Sequence, residues 1–197
     1  MLALEFVSTV HAGRTGLVDD LADTGGMTVW GREHAEPLGL DAASFVADEA
    51  LLAEVVELRQ AVRALFARAV SPEPPSGADA HLLPPFAESL HLVNATAAAV
   101  PLAPRLDWPA DGAPNIAIVP AEPASESARV RAALAASAIE LLAGPCRERL
   151  RTCRAPRCVL YFLKEHVRQE WCSVGCGNRA RAARHYRQHK AQSASRP

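Results

Sequence analysis

A chain of 197 residues suffices for one domain of moderate size, or for a larger domain with a small appended module. Of its residues 49% are hydrophobic but only 5% aromatic, and the commonest is alanine, which favours closely packed helices over a β-sandwich; every apolar run stops well short of the ~18 residues of a membrane span. The net charge of −1 conceals an asymmetry: residues 1–146 hold 8 Lys and Arg against 19 Asp and Glu, whereas residues 147–197 hold 13 against 3. Such a division fits a basic module that faces a polyanion, or one docked on its own acidic body.

The opening "LALEFVSTV" mixes β-branched and apolar residues and suits either a strand or a helix. No basic stretch precedes an apolar core there, so no signal peptide is expected; the expected compartment is the cytoplasm, where thiols stay reduced. Residues 17–40 read as short helices with a break at Gly25-Gly26. From Ala47 to Val70 apolar residues recur at Leu51, Val55, Leu58, Val62, Leu65 and Ala69, with Glu54, Glu57, Arg59 and Arg63 largely between them, so one long helix with a single buried stripe is predicted. "SPEPPSGAD" ends it as a loop. A second helix is expected over 86–99 and a small hairpin over 104–119, around a Pro/Asp/Gly turn. A further helix is capped by Ser125 or Ser127 and stopped by Gly144-Pro145, where the charge changes sign. The expected fold is therefore mainly α with a small β-hairpin (α+β). It comprises a helical domain over 1–145, a four-cysteine module of knuckle, short hairpin and helix over 146–192, and a frayed tail over 193–197.

Four of the five cysteines form two short-range pairs, Cys153/Cys158 (C-x4-C) and Cys172/Cys176 (C-x3-C), with thirteen residues between them. This is the spacing of a structural zinc site, each pair aiming two sulfurs at one point. Four thiolates leave no position for water, so the site holds structure and does not catalyse. About fifty residues are too few for an adequate core of their own. An iron–sulfur cluster is the lesser alternative, and the odd cysteine count argues against disulfides. Cys146 lies outside the spacing and reads as a buried apolar residue or an unligated thiol. Pro156 stiffens the first turn, Gly175 and Gly177 flank Cys176, and Arg154, Arg157 and Arg179 stand close enough to offset the negative thiolates. His185 and His189 read as solvent-facing or phosphate-facing.

The stretch "WCSVGCGNRARAARHYR" (171–187), preceded by C-x4-C and an aromatic "YF", resembles the CGNR zinc-finger family of bacterial proteins, described as stress-induced transcription regulators. "LEFVSTV", "DDLADTGGMTVWGREHAEPLGL" and the long helix from about residue 47 are similar to the ABATE domain that accompanies this finger. Together the resembling stretches cover most of the chain. The resemblance implies one structural zinc held by Cys153, Cys158, Cys172 and Cys176, with Gly177, Asn178 and Arg179 completing the turn into the last helix. The chain departs from the family pattern at Lys164, at Gln169-Glu170 and, near its start, at Glu5 and Ser8.

At 100° per residue, Arg179, Ala183, Tyr186 and Lys190 share one face of that helix, and Arg181, Arg184, His185 and Gln188 the opposite one. The expected arrangement packs Ala182, Ala183 and Tyr186 on the zinc knuckle. It presents Arg181 and Arg184 to DNA, with Arg179, Arg187 and Lys190 as supporting charge. The expected function is a DNA-binding transcription regulator whose N-terminal domain senses a small-molecule effector or associates, for instance as a homodimer. The alternative is a protein-interaction adaptor whose basic module docks an acidic partner. An enzyme is not expected, because Ser8, Thr9, His11 and His34 form no triad, phosphate-loop or metal-catalytic spacing.

Overall fold

The central helix starts where the Asp48 carboxylate accepts a hydrogen bond from the Leu51 amide at 2.7 Å, satisfying one of the otherwise unpaired first-turn donors. This helix, α4 (Glu49–Ala69), follows α1 (Leu2–Ser8), a hairpin of β1 (Val10–Ala12) and β2 (Leu17–Asp19), α2 (Thr24–Glu33) and α3 (Ala35–Leu38). After it come α5 (Phe86–Ala98), a hairpin of β3 (Leu102–Asp107) and β4 (Asn115–Pro120), and α6 (Glu126–Ala143). A third hairpin, β5 (Leu150–Thr152) with β6 (Tyr161–Leu163), leads to α7 (Val174–Ala194). The computed structural model describes residues 1–13, 15–78 and 80–194. Of the tail expected over 193–197, residues 193 and 194 close α7, and the last three lie outside the described residues. No helix among the described residues is long and apolar enough to cross a membrane. The architecture is the expected one, mainly helical with small antiparallel hairpins.

The predicted stripe on α4 is buried at Leu51, Val55, Leu58, Val62 and Leu65. It meets Phe6 and Val7 of α1 and Val130, Leu134 and Leu141 of α6, each such side chain contributing about 1.5–3 kcal/mol on leaving water. Of the two serines proposed as the α6 cap, Ser125 is the cap, accepting from the Ala128 amide at 3.1 Å. Leu150 and Tyr161, from the third hairpin, lie in the same core, Tyr161 edge-on to Phe66 at 5.6 Å.

Two expectations are corrected. Residues 17–19 form a strand, not part of a helix, and Gly25-Gly26 is no break. Both glycines lie in the first turn of α2, where Asp23 accepts from the Gly26 amide at 2.8 Å. A side chain at residue 26 would place its Cβ 2.2 Å from the Asp20 carbonyl oxygen, so glycine is there for close backbone approach and not for chain reversal.

The larger departure lies on α4. Arg59 and Arg63, expected beside the apolar stripe, are fully buried within the protein. Arg59 Nη1 and Nη2 donate to the two Asp19 carboxylate oxygens, both at 2.6 Å, and Nη1 also reaches Thr9 Oγ1 at 2.8 Å. Arg63, one turn on, donates through Nη1 to the Val7 carbonyl at 2.6 Å and through Nη2 to the Val159 carbonyl at 2.8 Å. It also lies over the Tyr161 ring, 5.6 Å from its centroid. The two guanidinium groups thus join α4 to the end of α1, to β2 and to the segment that enters β6.

The β3–β4 hairpin has the opposite character. Its register pairs Leu102 with Pro120, Pro104 with Ile118 and Leu106 with Ile116 on one face, and Ala103, Arg105 and Asp107 with Val119, Ala117 and Asn115 on the other. The larger apolar face is the more exposed one, while Ala103, Ala117 and Val119 are half-buried. Neither strand packs extensively on any element but its partner.

Burial opposes ionisation of Asp19, but the Arg59 hydrogen bonds and charge, with the Leu21 amide, outweigh it and hold the carboxyl below its ordinary value of 3.8. A depressed carboxyl contributes stability that is complete above its unfolded pKa and is lost as pH falls through the folded one. Asp19→Asn is therefore expected to lower stability at neutral pH and to flatten its fall below about pH 4. Arg59→Ala, which takes from the partly buried Asp19 its cation, should cost about 3 kcal/mol in urea unfolding. A loss within experimental error would show that the pair is incidental.

Candidate metal centre and nucleic-acid interface

Two short turns bring the four sulfurs together. In the first, Cys153 donates its amide to the Leu160 carbonyl at 2.9 Å and Cys158 donates to the Ala155 carbonyl at 3.0 Å, which closes a knuckle over Cys153–Leu160. Arg157 takes φ 64° inside that turn, a left-handed conformation that costs a side-chain-bearing residue about 1–2 kcal/mol. In the second, Cys172 precedes α7 and Cys176 lies in its first turn, the Cys176 amide donating to Ser173 Oγ at 3.2 Å.

The resulting sulfur separations are 3.4 Å for Cys172–Cys176, 3.7 Å for Cys158–Cys176 and 3.9 Å for Cys158–Cys172, and all four sulfurs lie within 4.8 Å of one another. Zinc–sulfur bonds of ~2.3 Å in a tetrahedron require sulfur separations of about 3.8 Å, so the donor set fits one zinc ion. Cys146 is half-buried and stands outside the cluster.

Without a cation, four thiols this close cannot share negative charge. Hydrogen bonds from Cys158 and Cys172 hold the Cys153 thiol far below its ordinary value. Each bond to Cys153 acts in reverse on its donor, pushing Cys158 up to about 12 and raising Cys172 as well. A divalent cation removes that opposition by drawing every ligand to the thiolate form. The surroundings suit a tetrathiolate: Arg179 Nη2 donates to Cys176 Sγ at 3.0 Å, the Cys172 amide to Cys153 Sγ at 3.5 Å, and Ala155, Phe162, Leu160 and Trp171 cover the cluster. A Cβ at Gly177 would stand 3.0 Å from Trp171 Cδ1, so glycine lets the indole pack closely on the helix.

The metal also sets the rotation of α7, and this corrects the expected packing. Cys176 must face the ion, so the buried positions are those that follow it around the helix, Gly177 and Ala180, with Ala183 half-buried. Ala182 and Tyr186 are exposed instead. The five predicted nucleic-acid residues are distributed accordingly. Arg179 is turned to the Cys176 sulfur, and Arg181 donates to Asn178 Oδ1 at 2.5 Å beside a shallow groove with His185, Tyr186 and His189. Arg184 and Arg187 line a basin of about 540 Å³ between α7 and the third hairpin, and Lys190 lies exposed farther along the helix.

Arg151, Arg154 and Lys164 line that basin too, with Trp171 between the two sides and Glu73 and Glu170 among the acidic members. None of the five cations enters an ion pair among the described residues. Sequence reading missed Arg151 and Lys164 as parts of this surface and gave Arg154 only to the metal. The available signal was that a short hairpin places residues 151 and 164 near one another, but spacing does not say that both would meet α7.

A family model named ABATE and described as "Putative stress-induced transcription regulator" matches residues 1–145, and a CGNR zinc-finger model matches residues 149–189. No curated protein matches the chain. Cys172→Ser is expected to take zinc from one ion per chain to none and to speed amide exchange along α7. Exchange in α4 should rise less than in α7, and most around Arg63, whose Nη2 donates to the Val159 carbonyl beside Cys158. Metal analysis decides the matter: a full zinc complement in that variant contradicts the ligand assignment.

Proposed function

We propose that this chain, which belongs to the ABATE family, is a transcription regulator that grips DNA through its zinc-held basic module while its N-terminal region senses or associates. The observation that carries the reading is the basin, where five cations from the knuckle, the third hairpin and α7 converge against two carboxylates, none of the five in an ion pair among the described residues. Phosphate oxygens would offset the excess positive charge, and Arg provides paired donors that match phosphate geometry. The zinc allows α7 to be presented rigidly from a module too small to hold it by apolar burial alone. A four-thiolate site also suits a reducing cytoplasm.

The sensing half of the proposal rests on an apolar groove of about 660 Å³ between α4 and α5, lined by Ala61, Leu82, Ala87 and Leu92 with Glu57 and Gln60 at its side. A small, largely apolar effector suits it. The proposal includes no catalysis. Thr9 Oγ1 donates to the Phe6 carbonyl and accepts from Arg59, His11 pairs with Asp20, and His34 stacks on Trp30, so these groups have structural employment.

The adaptor reading shares the same charges and differs in the partner. Arg181 and Arg184 form the DNA-facing pair when the helix is divided by polarity alone; the proposal replaces them with Arg184 and Arg187, which share the basin. Arg184→Ala with Arg187→Ala should weaken binding to all duplex sequences alike and make the slope of log affinity against log salt shallower by roughly 2 × 0.9. If either side chain reads a base edge, its loss should cost about 1–3 kcal/mol at one position of the site. Unchanged affinity and slope in a zinc-replete double variant, with tight salt-sensitive binding to an acidic protein, would favour the adaptor.

A further inference from the structure

We propose that the outward face of the β3–β4 hairpin is a self-association surface whose occupant is a second copy of this chain. The alternation of a hairpin resting on a body normally turns its large apolar residues inward and its polar ones to water. Here the order is reversed. Leu102, Leu106, Ile116 and Ile118 keep between 59 and 71% of their surface exposed, and the alternation continues to Trp108 at 66%. Pro104 and Pro120 complete the face through the cross-strand register.

Three properties point to a copy of the chain. The patch amounts to on the order of 600 Å² of apolar surface, at the upper limit of what a monomer normally exposes. Two such patches stacked together bury about 1,200 Å², where stable interfaces begin. The face carries no charge, so a two-fold axis through it sets no like charges opposite each other, as an isologous contact requires. Pro104 and Pro120 remove amide donors from the strands, which favours stacking of faces over pairing of edges. A lipid surface fits less well, because sinking the hairpin into it would bring the carboxylates of Asp107 and Asp111 at its tip into an apolar layer.

The proposal gives the associating half of the functional reading a location, and its test needs no DNA, so either can fail alone. Sedimentation of the zinc-loaded chain from about 1 to about 100 µM should show a monomer–dimer equilibrium. Leu106→Glu with Ile116→Glu should leave only monomer, with zinc content and circular dichroism unchanged. The milder Ile116→Ser should raise the dissociation constant by about tenfold or more. Arg105→Ala, on the opposite face, should leave the dimer intact. A chain that is monomeric throughout overturns the proposal and assigns the face to another partner, and binding of that monomer to neutral phosphatidylcholine vesicles would identify lipid instead. A dimer that survives the double glutamate variant overturns it equally.

Discussion

Burying a guanidinium group away from water costs several kcal/mol unless its donors are matched, and this protein buries two of them one helical turn apart. The matching dictates much of the surrounding fold. Asp19 must be delivered by β2, Thr9 and the Val7 carbonyl by the end of α1, and the Val159 carbonyl by the segment that follows the first cysteine pair. Stretches far apart in sequence are thereby placed around one side of α4. Apolar burial alone is non-directional and would tolerate several packings of small helices; hydrogen bonds to fixed carbonyls tolerate few.

The metal imposes a second constraint of a different kind. It determines which side of α7 faces inward, and by rotation it determines which arginines meet the hairpin. Beyond Ala183 every residue of α7 over 184–190 is largely exposed. Binding chemistry on this segment is consequently decided by helix phase, not by composition.

Much of this was legible in the residues. Asp48 and Ser125 mark helix starts by ordinary capping, the stripe from Leu51 to Leu65 carries a clear period, and the cysteine spacing is that of a closed zinc site. The hairpin around residues 104–119 announced itself by β-prone runs flanking a turn. What sequence reading missed has physical causes. A periodicity argument treats Arg as outward-facing, and nothing local to Arg59 or Arg63 shows that Asp19 and two carbonyls await them across the fold. Gly25-Gly26 looks like a break because glycine serves both reversal and close approach. The rotation of α7 was misjudged because its faces were divided by polarity, whereas the ligand at Cys176 sets the phase. The basin was hidden because its walls come from separate elements.

Arg63 has one further consequence. Its Nη1 and Nη2 connect a carbonyl of the first helix with a carbonyl adjacent to Cys158, while Leu150 and Tyr161 share the principal core. The point where one family match gives way to the next, between residues 145 and 149, is therefore not a seam in the molecule. Recombination there would sever the hairpin from the core it helps to build. A transplantable finger would have to bring with it the side chains that receive Tyr161, because a cut beyond β6 would part Cys153 and Cys158 from Cys172 and Cys176.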